Sequence, residues 1–97
     1  MQKEIVDFVS SVSRRTLTNQ RQRSLHTLVR LQAASPTGWV SLGALRSAKV
    51  TTMSLRDLRR ERYENLDVVC ERTSEGVFYR LSTRHLSLQK VQRILQG

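Results

Sequence analysis

One cysteine, one proline, four glycines and five aromatic residues are all that this 97-residue chain holds of those types. The single thiol, Cys70, excludes an internal disulfide framework, so nothing points to an oxidising compartment. So little glycine and proline excludes collagen-like and low-complexity chains. A long apolar run is also missing. The longest uncharged stretch, Leu31 to Leu45, contains Ser, Thr, Gln, Gly and Pro, and a bilayer-spanning helix needs roughly 18 apolar residues. The first residues, MQKEIVDFVSSVSRR, carry Glu4 and Asp7 inside their apolar pattern, so neither a secretory signal nor an acid-poor transit peptide is expected.

Acidic residues are scarce as well. Eight Asp and Glu stand against seventeen Lys and Arg, leaving a net charge of +9 and a pI of about 11.3. Fourteen of the seventeen bases are arginine. A guanidinium presents a planar fork of donors that matches phosphate oxygens and guanine edges. Such an excess on one small domain points to a polyanion, above all nucleic acid. A cytoplasmic, nucleoid-associated location is expected.

Constellations for chemistry are absent from the sequence. His26 and His85 lie 59 positions apart, without the close ligand spacing of a zinc site. There is neither a phosphate-cradling glycine loop nor a G-x-S-x-G phrase. His26 reads as a surface or boundary residue, and Cys70, among valines, as a buried inert thiol. No enzymatic activity, metal or cofactor is expected.

The apolar periodicity predicts an α+β domain over residues 1–97. Ile5, Phe8, Val9 and Val12 recur at helical spacing, giving an N-terminal amphipathic helix within 1–15. Arg14 and Arg15 would then sit at its negative pole. Thr18 or Asn19 caps a second helix, which carries Leu25, Leu28 and Val29 and stops at Ser35-Pro36-Thr37-Gly38. Trp39-Val40 is too short for more than an edge strand. Ser41 caps a short helix with Leu42, Ala44 and Leu45, and Thr51 or Thr52 caps another through Arg62 with Leu55 and Leu58 inward. Leu66 to Glu71 and Val77 to Leu81 read as a hairpin turning at Thr73 to Gly76. A C-terminal helix within 84–97 carries Leu88, Val91, Ile94 and Leu95. Trp39, Val40, Leu42, Val68, Phe78 and Leu81 join the helical leucines in the expected core.

The two helices from Ser41 to Tyr63, with a turn near Lys49-Val50, suit a helix-turn-helix whose second member enters the major groove. A step of about 100° per residue turns Met53, Arg56, Asp57 and Arg60 away from Leu55 and Leu58. Arg56 and Arg60, one turn apart, can reach guanine O6 and N7 or adjacent phosphates. Met53 suits a thymine methyl. Asp57 accepts from cytosine N4 or steers a neighbouring arginine. Thr52 lies at the helix start, where free N–H groups meet phosphate. Arg72, Thr73 and Ser74 near the hairpin tip suit phosphate or a minor groove.

The stretch Met53-Ser54-Leu55-Arg56-Asp57-Leu58-Arg59-Arg60-Glu61-Arg62-Tyr63, followed by Leu66-Asp67-Val68 and closed by Val77-Phe78-Tyr79-Arg80-Leu81, resembles winged helix-turn-helix domains. It is most similar to small phage- and prophage-type members and to the N-terminal DNA-binding domain of the biotin repressor. The match covers roughly Arg23 to Ser82, which assigns 19–82 to the core and leaves the terminal helices outside. Arg62 stands where the family pattern has a helix-ending glycine; Asn65 is the nearest residue suited to that conformation. The resemblance implies double-stranded DNA as partner, with Thr52, Met53, Arg56, Asp57, Arg59 and Arg60 on the reading helix and Arg72, Thr73 and Ser74 on the wing.

The expected function is therefore sequence-specific DNA binding by a transcriptional regulator of the phage or bacterial kind. Arginines from Arg14 to Arg23 would add phosphate contacts. A protein-interaction adaptor, and an accessory DNA protein of recombination or packaging, are the alternatives on the same fold. The terminal stripes, Ile5, Phe8, Val9 and Val12 with Val91, Ile94 and Leu95, pack on each other within one chain or across two. A homodimer through them is expected, since a small domain has little room to bury both.

Overall fold

Asn19, Ser41, Thr51 and Ser87 each place a side-chain oxygen where a helix begins. Asn19 Oδ1 accepts from Gln22 N at 2.8 Å, and Gln22 Oε1 accepts in return from Asn19 N at 3.4 Å, closing a capping box. Ser41 Oγ and Thr51 Oγ1 each accept from the N–H three residues on, at 3.1 Å, and Ser87 Oγ does so at 3.2 Å. The helices they open are α2 (Gln20–Ala34), α3 (Leu42–Ser47), α4 (Thr52–Leu58) and α5 (Leu88–Gln96). Ahead of them lies α1 (Lys3–Ser11), which begins without a side-chain cap. The structure, a computed structural model, describes residues 1–59, 66–84 and 86–96.

Three strands, β1 (Val40–Ser41), β2 (Val68–Thr73) and β3 (Gly76–Leu81), form an antiparallel sheet in the order β1-β3-β2. Val68 pairs with Leu81, Cys70 with Tyr79 and Thr73 with Gly76, leaving Ser74 and Glu75 as a two-residue turn. Gly76 has φ +137°, a conformation that side chains resist. Both strands reach closer to the tip than the sequence predicts. The Thr73 hydroxyl accepts from Glu75 N at 3.2 Å and donates to Gly76 O at 3.4 Å, stitching the last pair. Where β1 stops, Gln32 continues the pairing from α2. Its Nε2 donates to Leu81 O at 2.9 Å and its Oε1 accepts from Leu81 N at 2.6 Å.

The core gathers around the middle of α2, where Leu25, Leu28 and Val29 are fully buried. Val40, Leu45, Leu55, Leu58, Val68 and Leu81 close over them from α3, α4 and the sheet. Trp39, Leu42 and Phe78, expected inside, are only half-buried. Trp39 lies under the Arg80 guanidinium at 4.9 Å, a cation–π contact instead of a core position. This makes an α+β globule of five α-helices and one antiparallel sheet among the described residues. No helix of that set is long and apolar enough to cross a membrane.

The terminal stripes meet inside this chain. Ile5 and Val9 of α1, and Val91 and Leu95 of α5, are at most 6% exposed in a single copy. Phe8, Val12 and Ile94, with Val6 and Leu88, pack against the same core while keeping part of their surface. α1 ends at Ser11, short of the expected arginines, which form a separate 3-10 turn at Arg14–Thr16. His26 corrects the sequence reading. It is 2% exposed, because α1 lies over α2, and its Nε2 donates to Val12 O at 2.8 Å, satisfying a carbonyl at the helix end.

Candidate nucleic-acid interface

The turn between α3 and α4 sets the position of every side chain on α4. Lys49 N donates to Arg46 O at 2.9 Å and Val50 N to Leu45 O at 2.8 Å, the paired bonds of a Schellman motif. Val50 and Leu45, both buried, make the apolar contact that accompanies it. Lys49 occupies the left-handed position, φ +63°, where glycine is favoured. The carbonyls left open are taken from outside. Arg14 Nη2 donates to Ala48 O at 3.0 Å and Gln20 Nε2 to Lys49 O at 2.9 Å. Left-handed backbone costs a residue with a Cβ about 1–2 kcal/mol. Lys49→Gly is therefore expected to raise the unfolding free energy by about 1 kcal/mol in a urea titration. An unchanged or lower value would contradict this account of the turn.

Thr51 Oγ1 and Ser54 Oγ hydrogen-bond at 2.9 Å at the start of α4. Ser54, Leu55 and Leu58 are buried, fixing one side of the helix on the core. The opposite side is open, with Met53 at 69% exposure. Arg56 and Arg59 are exposed and Asp57 is half-buried. α4 closes at Leu58. Arg59 N turns to Arg56 O at 3.1 Å, a tightened i−3 bond, and Arg59 is the C-cap. Arg60, Arg62 and Asn65, singled out from the sequence, lie outside the described residues.

A cleft of about 260 Å³ separates α4 from the hairpin. α4 contributes Thr52, Leu55, Arg56 and Arg59, and the hairpin contributes Cys70, Arg72 and Tyr79. Thr52, Arg56 and Arg59, at i, i+4 and i+7, share one stripe of the helix. Cys70 and Arg72 share a face of β2 by alternation, and Tyr79 stands opposite Cys70. Burial, and then the hydrogen bond and like charge of Cys70, push the Tyr79 phenol above its ordinary value, while Arg59 and Arg72 pull it down. The phenol is thus a neutral donor at physiological pH. Cys70 is exposed, contrary to the buried thiol expected. From Val68 to Cys70 the burial falls away as the hairpin runs past the helices.

Of the residues chosen from the sequence, Thr52, Arg56, Arg59 and Arg72 therefore come together around one cleft. Met53 and Asp57 lie on the adjoining stripe, and Thr73 and Ser74 lie exposed at the hairpin end. Thr73 is engaged within the turn. Two contributions were not anticipated. Tyr79 and Cys70 enter the cleft because the strand register aligns them, and Arg14 and Gln20 hold the turn across sequence separations of 34 and 29 residues. The sequence placed Arg14 at the end of the first helix and among phosphate contacts, and neither reading foresaw its bond to Ala48 O. No protein-family model, curated protein or solved structure matches the chain.

Proposed function

We propose that this chain is a sequence-specific double-stranded DNA-binding protein with a winged helix-turn-helix fold, a transcriptional regulator of the phage or bacterial kind. In this reading α3 supports α4, α4 enters the major groove, and the β2–β3 hairpin is the wing. The observation that carries it is the two-sidedness of α4. Ser54, Leu55 and Leu58 anchor it, while Met53, Arg56 and Arg59 are exposed beside a hairpin bearing exposed Arg72. A helix held on one side and open on the other, on a body of net charge +9, suits insertion into a groove lined by phosphates. Met53 and Asp57, with Arg56 beside them, face the base edges. Arg72 and Ser74 meet the backbone.

The test is a titration of the whole chain with a labelled duplex of random sequence at low salt, competed by an acidic polypeptide such as polyglutamate. The reading expects the duplex to be bound and retained against an equal charge concentration of polyglutamate. Retention of polyglutamate with loss of the duplex would instead favour an adaptor for acidic proteins.

A further inference from the structure

We infer that the groove between the 3-10 turn and the second half of α2 binds a small carboxylic acid that carries a hydroxyl group and a short apolar chain. The groove has a volume of about 370 Å³ and is lined by Arg14, His26, Thr27, Arg30, Leu31 and Ala34. It shares no lining residue with the cleft beside α4, so its occupancy does not depend on the DNA-binding reading. His26 and Arg30 stand at i and i+4 of α2, and Thr27, Leu31 and Ala34 at i, i+4 and i+7, which makes two neighbouring stripes of one helix. Arg14 joins them from the turn that follows α1.

The polar atoms define the ligand. His26 is 2% exposed and Thr27 8%, yet both reach the groove. His26 Nε2 is committed to Val12 O at 2.8 Å. A carbonyl only accepts, so Nε2 carries the proton, and in the neutral ring Nδ1 is left with a lone pair. Among the described residues no group donates to Nδ1 and none bonds the Thr27 hydroxyl. No side-chain polar atom sealed from solvent lacks a partner among those residues, so these two atoms open into the groove. Arg14 and Arg30 supply the charge. Arg14 Nη2 is tied to Ala48 O at 3.0 Å, which holds the guanidinium in place and leaves its other N–H groups for an anion. Arg30 is exposed, and among the described residues no carboxylate lines the groove with it.

These features select among anions. Two guanidinium groups at one groove repel each other, and an anionic group that their planar forks bind relieves the repulsion. A bare Nδ1 needs a donor, which an ionised carboxylate lacks and a hydroxyl supplies. An ammonium group would donate as well, but beside two like charges. Leu31 and Ala34 offer only contact with carbon. At about 370 Å³ the groove lies at the low end of the roughly 300–1,000 Å³ of small-molecule pockets, which suits a short chain. Carboxylate, hydroxyl and short chain together make a medium-chain hydroxy acid, and 3-hydroxyoctanoate is a simple probe with all three.

The experiment is a calorimetric titration of the whole chain, at about pH 8 and low salt, with 3-hydroxyoctanoate and with three molecules that each lack one part: octanoate, 3-octanol and 3-hydroxybutyrate. The complete probe is expected to bind, and each of the others to bind more weakly on the order of tenfold. Arg30→Ala should weaken the complete probe on the order of tenfold with little change in thermal midpoint, and Thr27→Val, which keeps the shape without the hydroxyl, should weaken it severalfold. The ¹⁵N resonance of His26 Nδ1 should move on addition of 3-hydroxyoctanoate and stay in place with octanoate. Equal affinity for octanoate and 3-hydroxyoctanoate would overturn the proposal. Displacement of the probe by inorganic phosphate at equal concentration would overturn it too, reducing the groove to an unselective anion patch. Parent-like affinity in Arg30→Ala would place the probe elsewhere on the molecule. Binding of none of the four would end the proposal and leave the DNA-binding reading untouched.

Discussion

Raising salt from about 50 to 200 mM is expected to weaken binding of duplex DNA by roughly 10²–10³-fold. The size follows from counterion release, which lowers the logarithm of affinity by about 0.9 per neutralised phosphate for each unit of log salt. A net charge of +9, with Arg56, Arg59 and Arg72 gathered around one cleft, is enough to engage about four to six phosphates. The slope is measured by repeating the duplex titration across that range. Because the term comes from the backbone, it should be nearly the same for a preferred and an arbitrary sequence. A complex whose affinity hardly moves would contradict the electrostatic account.

Ile5→Ala is expected to lower stability by about 2–5 kcal/mol. Ile5 is 1% exposed and belongs to the core that also holds Val9, Val91 and Leu95. Truncation removes apolar burial and leaves a cavity against α2 that close-packed neighbours fill only in part. For a domain whose total stability is of the order of 5–15 kcal/mol, that is a large share. Urea denaturation measures it. Since α1 and α5 complete a single chain's core, the midpoint of the parent and of the variant should not shift with protein concentration. A midpoint that climbs with concentration would mean that these helices are stabilised by a second copy.

What was legible in the sequence was local. Asn19, Ser41 and Thr51 cap the helices they were expected to cap, because capping needs only an oxygen and an N–H two or three residues away. The inward face of α4 followed from spacing alone, as did Leu25, Leu28 and Val29 of α2, although α2 is buried all round from Ser24 to Val29. What escaped depended on contacts distant in sequence. His26 is buried because α1 crosses α2, and its own helix gives no hint of that. Cys70 is exposed because β2 outruns the core, although its valine neighbours read as interior. Lys49 holds a position that a glycine would have announced.

The candidate site shows the same division. Leu55 and Leu58 told which side of α4 was anchored, and therefore which side was open. The split of the open side into two stripes required the hairpin's position, which rests on the β2–β3 register and on Gln32 gripping Leu81. A one-residue slip of that register would turn Cys70 and Arg72 to the opposite face and leave α4 without a facing wall. Periodicity assigns the strands but not the helix they stand beside.

The most direct measurement is selection of bound sites from a pool of random duplex DNA, carried out with the parent chain and with Met53→Ala and Asp57→Ala. Both positions are on the stripe of α4 away from the cleft, and Met53 is the most open large apolar side chain of the described residues at 69% exposure. The account predicts that the parent enriches a defined sequence. Each variant should lose preference at one or two adjacent positions of it, with affinity for random duplex not lowered, since a single base contact carries about 1–3 kcal/mol of discrimination. An enriched sequence identical for all three proteins, or no enrichment by the parent, would contradict the claim that this face of α4 reads DNA.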